Sequence, residues 1–107
     1  MGFFNDDSDQ AQAYNEVANA PHGAELSHEL IAAAASYEAA KEYEKHVARN
    51  GPPPSHEKAK EIFAGLAGAF VDRLIETKGL DYVDKYKVQH HAKEQADGGL
   101  RESVGEY

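Results

Sequence analysis

The sequence predicts an all-α protein built around an antiparallel hairpin of two long helices, with a shorter helix at each end. Apolar residues recur at the three- and four-residue spacing of a helix in every long segment. No segment shows the alternating apolar pattern or the tight turns that are typical of strands. A short triproline stretch separates the two longest helical segments. Because so short a connection joins helices that lie side by side, we expect these two to run antiparallel.

The N-terminal helix is predicted over residues 9–20. Ser8 and Asp9 stand at its start, and either side chain can accept a hydrogen bond from a free backbone N–H of the first turn. Pro21 then marks a break, or the first position of the next helix. The apolar residues of this short helix are Ala13, Tyr14 and Val17.

The longest helix is predicted from His22 to Arg49. Asn50 and Gly51 end it, and the prolines at 52–54 form a stiff, extended connection to the next helix. An alanine run at residues 32–35 spreads small side chains around the helix and so permits contacts on two sides. The residues of its apolar stripe are Leu26, Leu30, Ala33 and Tyr37.

The third helix is predicted between Ser55, its N-cap, and Gly79, which can adopt the left-handed conformation that ends helices. Gly65 and Gly68, with alanines beside them, leave part of its surface nearly flat. A glycine inside a helix costs about 1 kcal/mol relative to alanine, so the pair indicates close approach of another helix. The apolar face comprises Ala59, Ile62, Phe63, Leu66, Phe70 and Leu74.

The fourth helix is predicted over residues 81–96, with Asp81 as its cap and the pair Gly98-Gly99 as its stop. One side of this helix is expected to face the core and comprises Tyr82, Val83, Tyr86 and His90. The predicted domain organisation is a single helical domain at residues 1–96, followed by a flexible C-terminal tail at 97–107.

The alanine-rich faces of the long helices bury little area, and small chains often complete a core by self-association. We therefore expect a homodimer or higher oligomer that forms a helical bundle, with the small-residue segment Ala64–Ala69 as its close-contact seam. A compact monomer is the alternative.

Composition excludes several classes of function. The chain has 107 residues, a net charge of −8 and no cysteine, which removes disulfides, thiolate catalysis and cysteine-ligated zinc. An acidic surface disfavours nucleic acid and anionic membranes as partners. The longest apolar stretch, at residues 62–71, is far short of the roughly 20 residues that a membrane span needs. No secretory signal is visible, and a cytoplasmic location is expected.

Sequence motifs for catalysis are missing as well. The chain has no nucleophile elbow, no phosphate-binding glycine loop and no HExxH zinc motif. The tyrosines recur at helical spacing, which core packing with the hydroxyl at its edge explains. The sequence therefore gives no indication of an enzyme, and an unrecognised enzyme is only the third hypothesis, after the two stated below.

Four long blocks of the chain resemble the small fungal CipC-like antibiotic-response proteins. They are residues 4–14 (FNDDSDQAQAY), 20–51 (APHGAELSHELIAAAASYEAAKEYEKHVARNG), 55–85 (SHEKAKEIFAGLAGAFVDRLIETKGLDYVDK) and 90–96 (HHAKEQA). That family is named for its induction by an antibiotic that blocks proton-pumping ATPases, and it is associated with stress in filamentous fungi. The resemblance implies a stress or antibiotic response, but no biochemical activity that can be transferred residue by residue.

A weaker similarity joins the chain to the plant abscisic-acid, stress and ripening proteins. It rests on residues 43–49 (YEKHVAR), His56 and residues 61–70 (EIFAGLAGAF). Those proteins are associated with zinc binding, DNA binding and chaperone-like protection. This similarity implies that His46 and His56, which flank the triproline turn, are the first candidates for a zinc site.

Two further histidine pairings have the spacing of metal ligands. His90 and Glu94 are four residues apart on one helix and could chelate Zn²⁺, which imidazole and carboxylate both suit. Glu25 and His28 have the Glu-x-x-His spacing of di-iron bundles, but the helical wheel predicts that His28 faces solvent.

These observations predict a non-enzymatic stress or antibiotic-response protein that acts by protein interaction or by protection of clients the sequence does not identify. The alternative is a zinc-type metal-binding module that uses the histidines near the helix-hairpin turn.

Overall fold

The computed structural model describes residues 8–23, 25–79 and 84–104, with side chains up to residue 94. Its four helices are α1 (Asp9–Ala18), α2 (His28–Asn50), α3 (His56–Lys78) and α4 (Lys85–Val104). The described residues contain no strand, so the predicted all-α class is confirmed. None of the helices in this described part is long and apolar enough to cross a membrane.

The predicted ends of α3 and the predicted start of α1 are confirmed. Ser8 caps α1, and the Ser55 hydroxyl oxygen accepts from the backbone N–H of Lys58 at 3.1 Å. At the other end of α3, Gly79 has a left-handed φ of 70° and donates its N–H to the Ile75 carbonyl. Local side-chain and backbone chemistry thus sets these three ends.

The prediction that α2 starts at His22 is wrong, because the helix begins six residues later. Gly23 has a φ of 80°, which no α-helix contains, and its N–H donates to the Lys78 carbonyl of α3 at 2.7 Å. Ser27 is extended, and its hydroxyl oxygen accepts from the Leu30 N–H at 3.0 Å. The connection from α1 is therefore bonded to the end of α3, and Ser27 caps α2.

The predicted ends of α4 also differ from those observed. Residues 80–83, including the predicted cap Asp81, lie outside the described residues. Asp84 acts as the cap, since its carboxylate accepts from the Lys87 N–H at 3.2 Å. At the other end the helix continues through Gly98 and Gly99 to Val104. Glycine only weakens a helix unless it adopts a left-handed φ, so the predicted stop is wrong. The division into a 1–96 domain and a flexible tail stays a prediction, and residues 105–107 lie outside the described residues.

The predicted core side of α4 is wrong where the structure describes it. Val88 and Ala92 are fully buried, whereas Tyr86 is 78% exposed and His90 is also exposed. The predicted core residues Tyr82 and Val83 lie outside the described residues. The prediction places tyrosine and histidine side chains, which have polar tips, against the core. In the structure the small apolar residues Val88 and Ala92 make this contact instead.

The helices α2 and α3 form the predicted antiparallel hairpin, joined by residues 51–55. An ion pair of 3.1 Å joins Glu38 in the middle of α2 to Arg73 late in α3. The antiparallel orientation brings the end of α3 to the end of α1 and the connection that follows it, where Lys78 Nζ donates to the carbonyls of Ala18 and Ala20 at 3.0 and 2.6 Å.

The helix α4 runs parallel to α2 and antiparallel to α3. His28 accepts from the Asp84 N–H at 3.3 Å, and the Ser36 hydroxyl lies 3.4 Å from the Ala92 carbonyl. Both contacts join residues that are 56 positions apart in the sequence, so α2 and α4 run in the same direction. Thus α2, α3 and α4 pack against one another in a three-sided group, and α1 packs on α2.

The centre of the fold is α2, because it contacts all three other helices. Its predicted stripe of Leu26, Leu30, Ala33 and Tyr37 is only partly buried. Small residues at other angles are fully covered and let the neighbouring helices approach closely; the buried alanines are Ala32, Ala34, Ala35, Ala39 and Ala40. Within one chain, α1 and α4 therefore bury the small-residue surface of α2, which the sequence predicts to be buried by a second copy. Self-association stays a prediction.

Candidate interaction surface

One side of α3 faces away from the other helices. Ala59, Phe63 and Leu74 are buried on the opposite side, as predicted, but the predicted core residues Ile62 and Leu66 are only half-buried. They border an exposed strip, and we call the whole surface the outer face of α3. It comprises Lys58, Glu61, Ile62, Gly65, Leu66, Ala69, Asp72, Arg73 and Glu76.

The predicted close contact at residues 64–69 forms in part within the chain. Gly68 is buried against α4, and a Cβ built on it would lie 2.5 Å from Gln89 Nε2 and 3.2 Å from Lys85 Cε. The same Gln89 amide donates to the Ala64 carbonyl at 2.7 Å. Gly68 thus makes room for a side chain that bonds the α3 backbone, so this side of the predicted seam belongs to α4.

Gly65, which lies on the outer face of α3, has the opposite surroundings. It is exposed, and a Cβ built on it would meet nothing within 4 Å. Ala69, one turn further along, is also exposed. Glycine costs about 1 kcal/mol relative to alanine inside a helix, and no packing in the described chain requires it here. The flat centre of the outer face is therefore available to another molecule.

Charged residues of both signs lie at each end of this surface. At the start of α3, Lys58 Nζ lies 3.6 Å from a Glu61 carboxylate oxygen, and both side chains are exposed. Towards the end, Arg73 pairs with Glu38, while Glu76 is exposed and is in no ion pair within the described part of the chain. The arrangement of an apolar centre with a polar, solvent-exposed rim is that of a protein contact surface.

The candidate zinc ligands at the hairpin turn, His46 and His56, lie near the adjoining ends of α2 and α3, and both are half-buried. His46 Nδ1 lies 3.4 Å from the Asn50 side-chain nitrogen, which also donates to the His46 carbonyl at 3.1 Å. Residues 8–23, 25–79 and 84–94 contain no group of three or more histidine, aspartate or glutamate side chains arranged so that they could hold a metal ion. A zinc site at the turn stays a prediction.

The pair on α4 is close in space. His90 Nε2 lies 3.3 Å from one Glu94 carboxylate oxygen, and His91 Nδ1 lies 3.7 Å from the other. The His90 and Glu94 side chains are 67% and 61% exposed. One carboxylate thus stands between two imidazoles on a single helical turn. The contact between His91 and Glu94 could have been predicted from their i, i+3 spacing in the sequence. The predicted ligand pair on α4 nevertheless comprises only His90 and Glu94.

Two further contacts involve His28 and Tyr37. His28 is half-buried rather than facing solvent, and its Nε2 accepts from the Asp84 N–H at the start of α4. No helical wheel of α2 can reveal this, because the contact depends on where α4 lies. Tyr37 packs its ring 5.3 Å from that of Tyr14, with Lys41 Nζ 5.4 Å from the Tyr37 centroid. This arrangement agrees with a packing role for these tyrosines.

A family model described as virulence factor CipC-like matches residues 13–103. The match includes the whole outer face of α3 and the candidate ligands His46, His56, His90 and Glu94. No curated protein and no solved structure matches the chain significantly.

Proposed function

The chain belongs to the virulence factor CipC-like family, whose model matches most of its length, and on this premise we propose that it acts in a stress response, without catalysis, by protein interaction. The resemblance to antibiotic-response proteins supports the physiological part of this proposal. The outer face of α3 supports the molecular part, and we assign the protein contacts to it.

A single observation carries the proposal. Gly65 lies at the centre of the outer face in the middle of a 23-residue helix, exposed and with no atom near its missing side chain. Packing within the fold explains why position 68 is a glycine, because Gln89 occupies the space that a Cβ would need. A partner helix or loop that approaches the α3 backbone closely would explain the glycine at position 65 in the same way.

A protection assay tests the proposal. Wild-type protein is expected to suppress heat aggregation of malate dehydrogenase, followed by light scattering. Gly65→Lys places a long, charged side chain on the outer face, and the open space around Gly65 allows it without disturbing the fold. We expect this variant to lose the protection.

The matched control is Ala48→Lys, which adds the same charge at an exposed position of α2. It should protect as wild type does, and circular dichroism should report equal helix content in all three proteins. Equal protection by Gly65→Lys, or no protection by wild type, would contradict the proposal.

A metal-binding function is the second candidate, and the 3.3 Å separation of His90 and Glu94 favours it. We propose that these two residues form a surface Zn²⁺ site on α4, in which water supplies the remaining ligands. A ligand that binds only the folded state raises the melting temperature. Zinc should therefore raise it for wild type but not for His90→Ala.

The same titration tests the candidate ligands at the hairpin turn. The double variant His46→Ala/His56→Ala should retain the zinc response if the site is on α4. If the double variant loses the zinc-induced rise in melting temperature and His90→Ala keeps it, the zinc site is at the turn.

A further inference from the structure

We infer that the partner of the outer face of α3 is a second copy of this chain, whose α3 lies antiparallel across it. This inference rests on the proposed function, because it names the partner of the same surface. The order of charges along α3 carries it, and the small residues at the centre determine how closely the two helices approach.

Four of the five charged residues on the outer face are complementary to themselves when one copy is reversed, and the fifth, Asp72, pairs with Lys85 of α4 within the chain at 3.2 Å. Lys58 and Glu76 lie equally far from residue 67, on opposite sides of it, and so do Glu61 and Arg73. A two-fold axis level with residue 67 and perpendicular to the helices therefore places Lys58 opposite the partner's Glu76 and Glu61 at the same level as the partner's Arg73. Four pairs of opposite charge result, two at each end of the contact.

A parallel arrangement has the opposite electrostatic outcome. A two-fold axis along the helices places each residue against its own copy, so Lys58 would meet the partner's Lys58 and Glu76 the partner's Glu76. Juxtaposed like charges disfavour an interface. The charge order thus selects the antiparallel arrangement.

The centre of the contact fits the same geometry. The axis at residue 67 places Gly65 opposite the partner's Ala69, and a contact between such small residues lets helix backbones approach closely. Ile62 and Leu66, which are half-buried in the single chain, would lose more of their exposed surface to the partner. From Lys58 to Glu76 the surface extends over about 27 Å of helix.

The ion pairs within one chain leave charges available for these contacts. Glu76 is in no ion pair within the described part of the chain. Docking of a second copy would therefore let it form an ion pair with the partner's Lys58. The Arg73 side chain is 62% exposed although it pairs with Glu38, so it can also reach across to the partner's Glu61.

Charge reversal followed by sedimentation velocity of the full chain tests the inference. Wild type should be a dimer that dissociates on dilution. Lys58→Glu and Glu76→Lys should each weaken the dimer at least tenfold, because each creates two like-charge contacts. The double variant Lys58→Glu/Glu76→Lys should restore dimerisation, since it exchanges the two partners of each pair.

The control is Lys45→Glu, which changes the net charge by the same amount as Lys58→Glu at an exposed position of α2. It should leave the dimer unchanged. A wild-type monomer at all concentrations, reversals without effect, or a double variant that fails to restore the dimer would each overturn the inference.

The outcome separates this inference from the proposed function. A monomeric chain whose Gly65→Lys variant still loses protection would overturn the second copy as partner and leave the proposed function standing. A dimer that behaves as described, with a Gly65→Lys variant that protects as wild type does, would support the inference and contradict the proposed function.

Discussion

Two glycines less than one turn apart in α3 have different physical roles. Gly68 accommodates Gln89, whose amide bonds the Ala64 carbonyl at 2.7 Å, whereas Gly65 faces open space. In the sequence both lie in the same small-residue run, so composition and helical spacing cannot distinguish them. The difference arises from α4, which covers one side of the run and leaves the other exposed.

This difference predicts opposite effects of substitution at the two glycines. Gly65→Ala should raise the free energy of unfolding by about 0.5–1 kcal/mol, because alanine favours the helix and its methyl group meets nothing within 4 Å. Gly68→Leu should lower it by about 1–3 kcal/mol, because the added side chain displaces Gln89. Urea unfolding of dilute protein, followed by circular dichroism, measures both values. Changes of the same sign would contradict this account.

At the scale of single elements, the predictable helix ends are those set by nearby residues. Ser8, Ser55 and Gly79 act through hydrogen bonds to residues three or four positions away, so their roles are legible in the sequence. The start of α2 combines both kinds of signal. Ser27 caps it through the Leu30 N–H three positions away, but the pattern from His22 onwards is also locally compatible with a helix. Local signals therefore permit either start, and the hydrogen bond from Gly23 to the Lys78 carbonyl of another helix selects the later one.

The same distinction explains what could be predicted of α4 and of the candidate surface. The existence of α4 follows from its local pattern, but its buried side depends on where α2 and α3 lie. The run of small residues at 64–69 predicts a contact segment. It does not show which part α4 covers, since that requires the position of Gln89.

The N-cap of α2 gives a test at this scale. Ser27→Ala should lower the free energy of unfolding by about 1 kcal/mol, because the Leu30 N–H then loses its 3.0 Å hydrogen bond. Ser55→Ala, at the N-cap of α3, should cost a similar amount. If α2 began at His22 instead, Ser27 would lie inside the helix, and alanine there would stabilise it. Thermal unfolding of the two variants beside wild type distinguishes these cases.

At the scale of the whole molecule, the central position of α2 removes one reason to expect self-association, namely the need to complete the core. The buried surface of α2 is covered within the chain, because α1, α3 and α4 all pack against it. A second copy is therefore not needed to complete the core, and its proposed contact is a surface on α3 instead. The chain also carries a net charge of −8, so two copies repel each other at long range. Complementary charges at the contact must offset this repulsion.

A dimer of this kind makes the thermal stability depend on protein concentration. A folded partner stabilises the folded chain by mass action, so a 100-fold rise in concentration across the dissociation constant should contribute about 1 kcal/mol per chain. For a domain of this size, that corresponds to a rise in Tm of about 4–8 °C. Differential scanning calorimetry measures it directly.

Gly65→Lys provides the decisive comparison in this measurement. Its Tm should be independent of concentration and should at least equal that of dilute wild type, because lysine is a better helix former than glycine and the site has open space. Ala48→Lys should keep the concentration dependence of wild type. A wild-type Tm that stays constant over the whole range would mean that the outer face of α3 carries no second copy, whereas a dependence that survives Gly65→Lys would place the dimer contact elsewhere on the molecule.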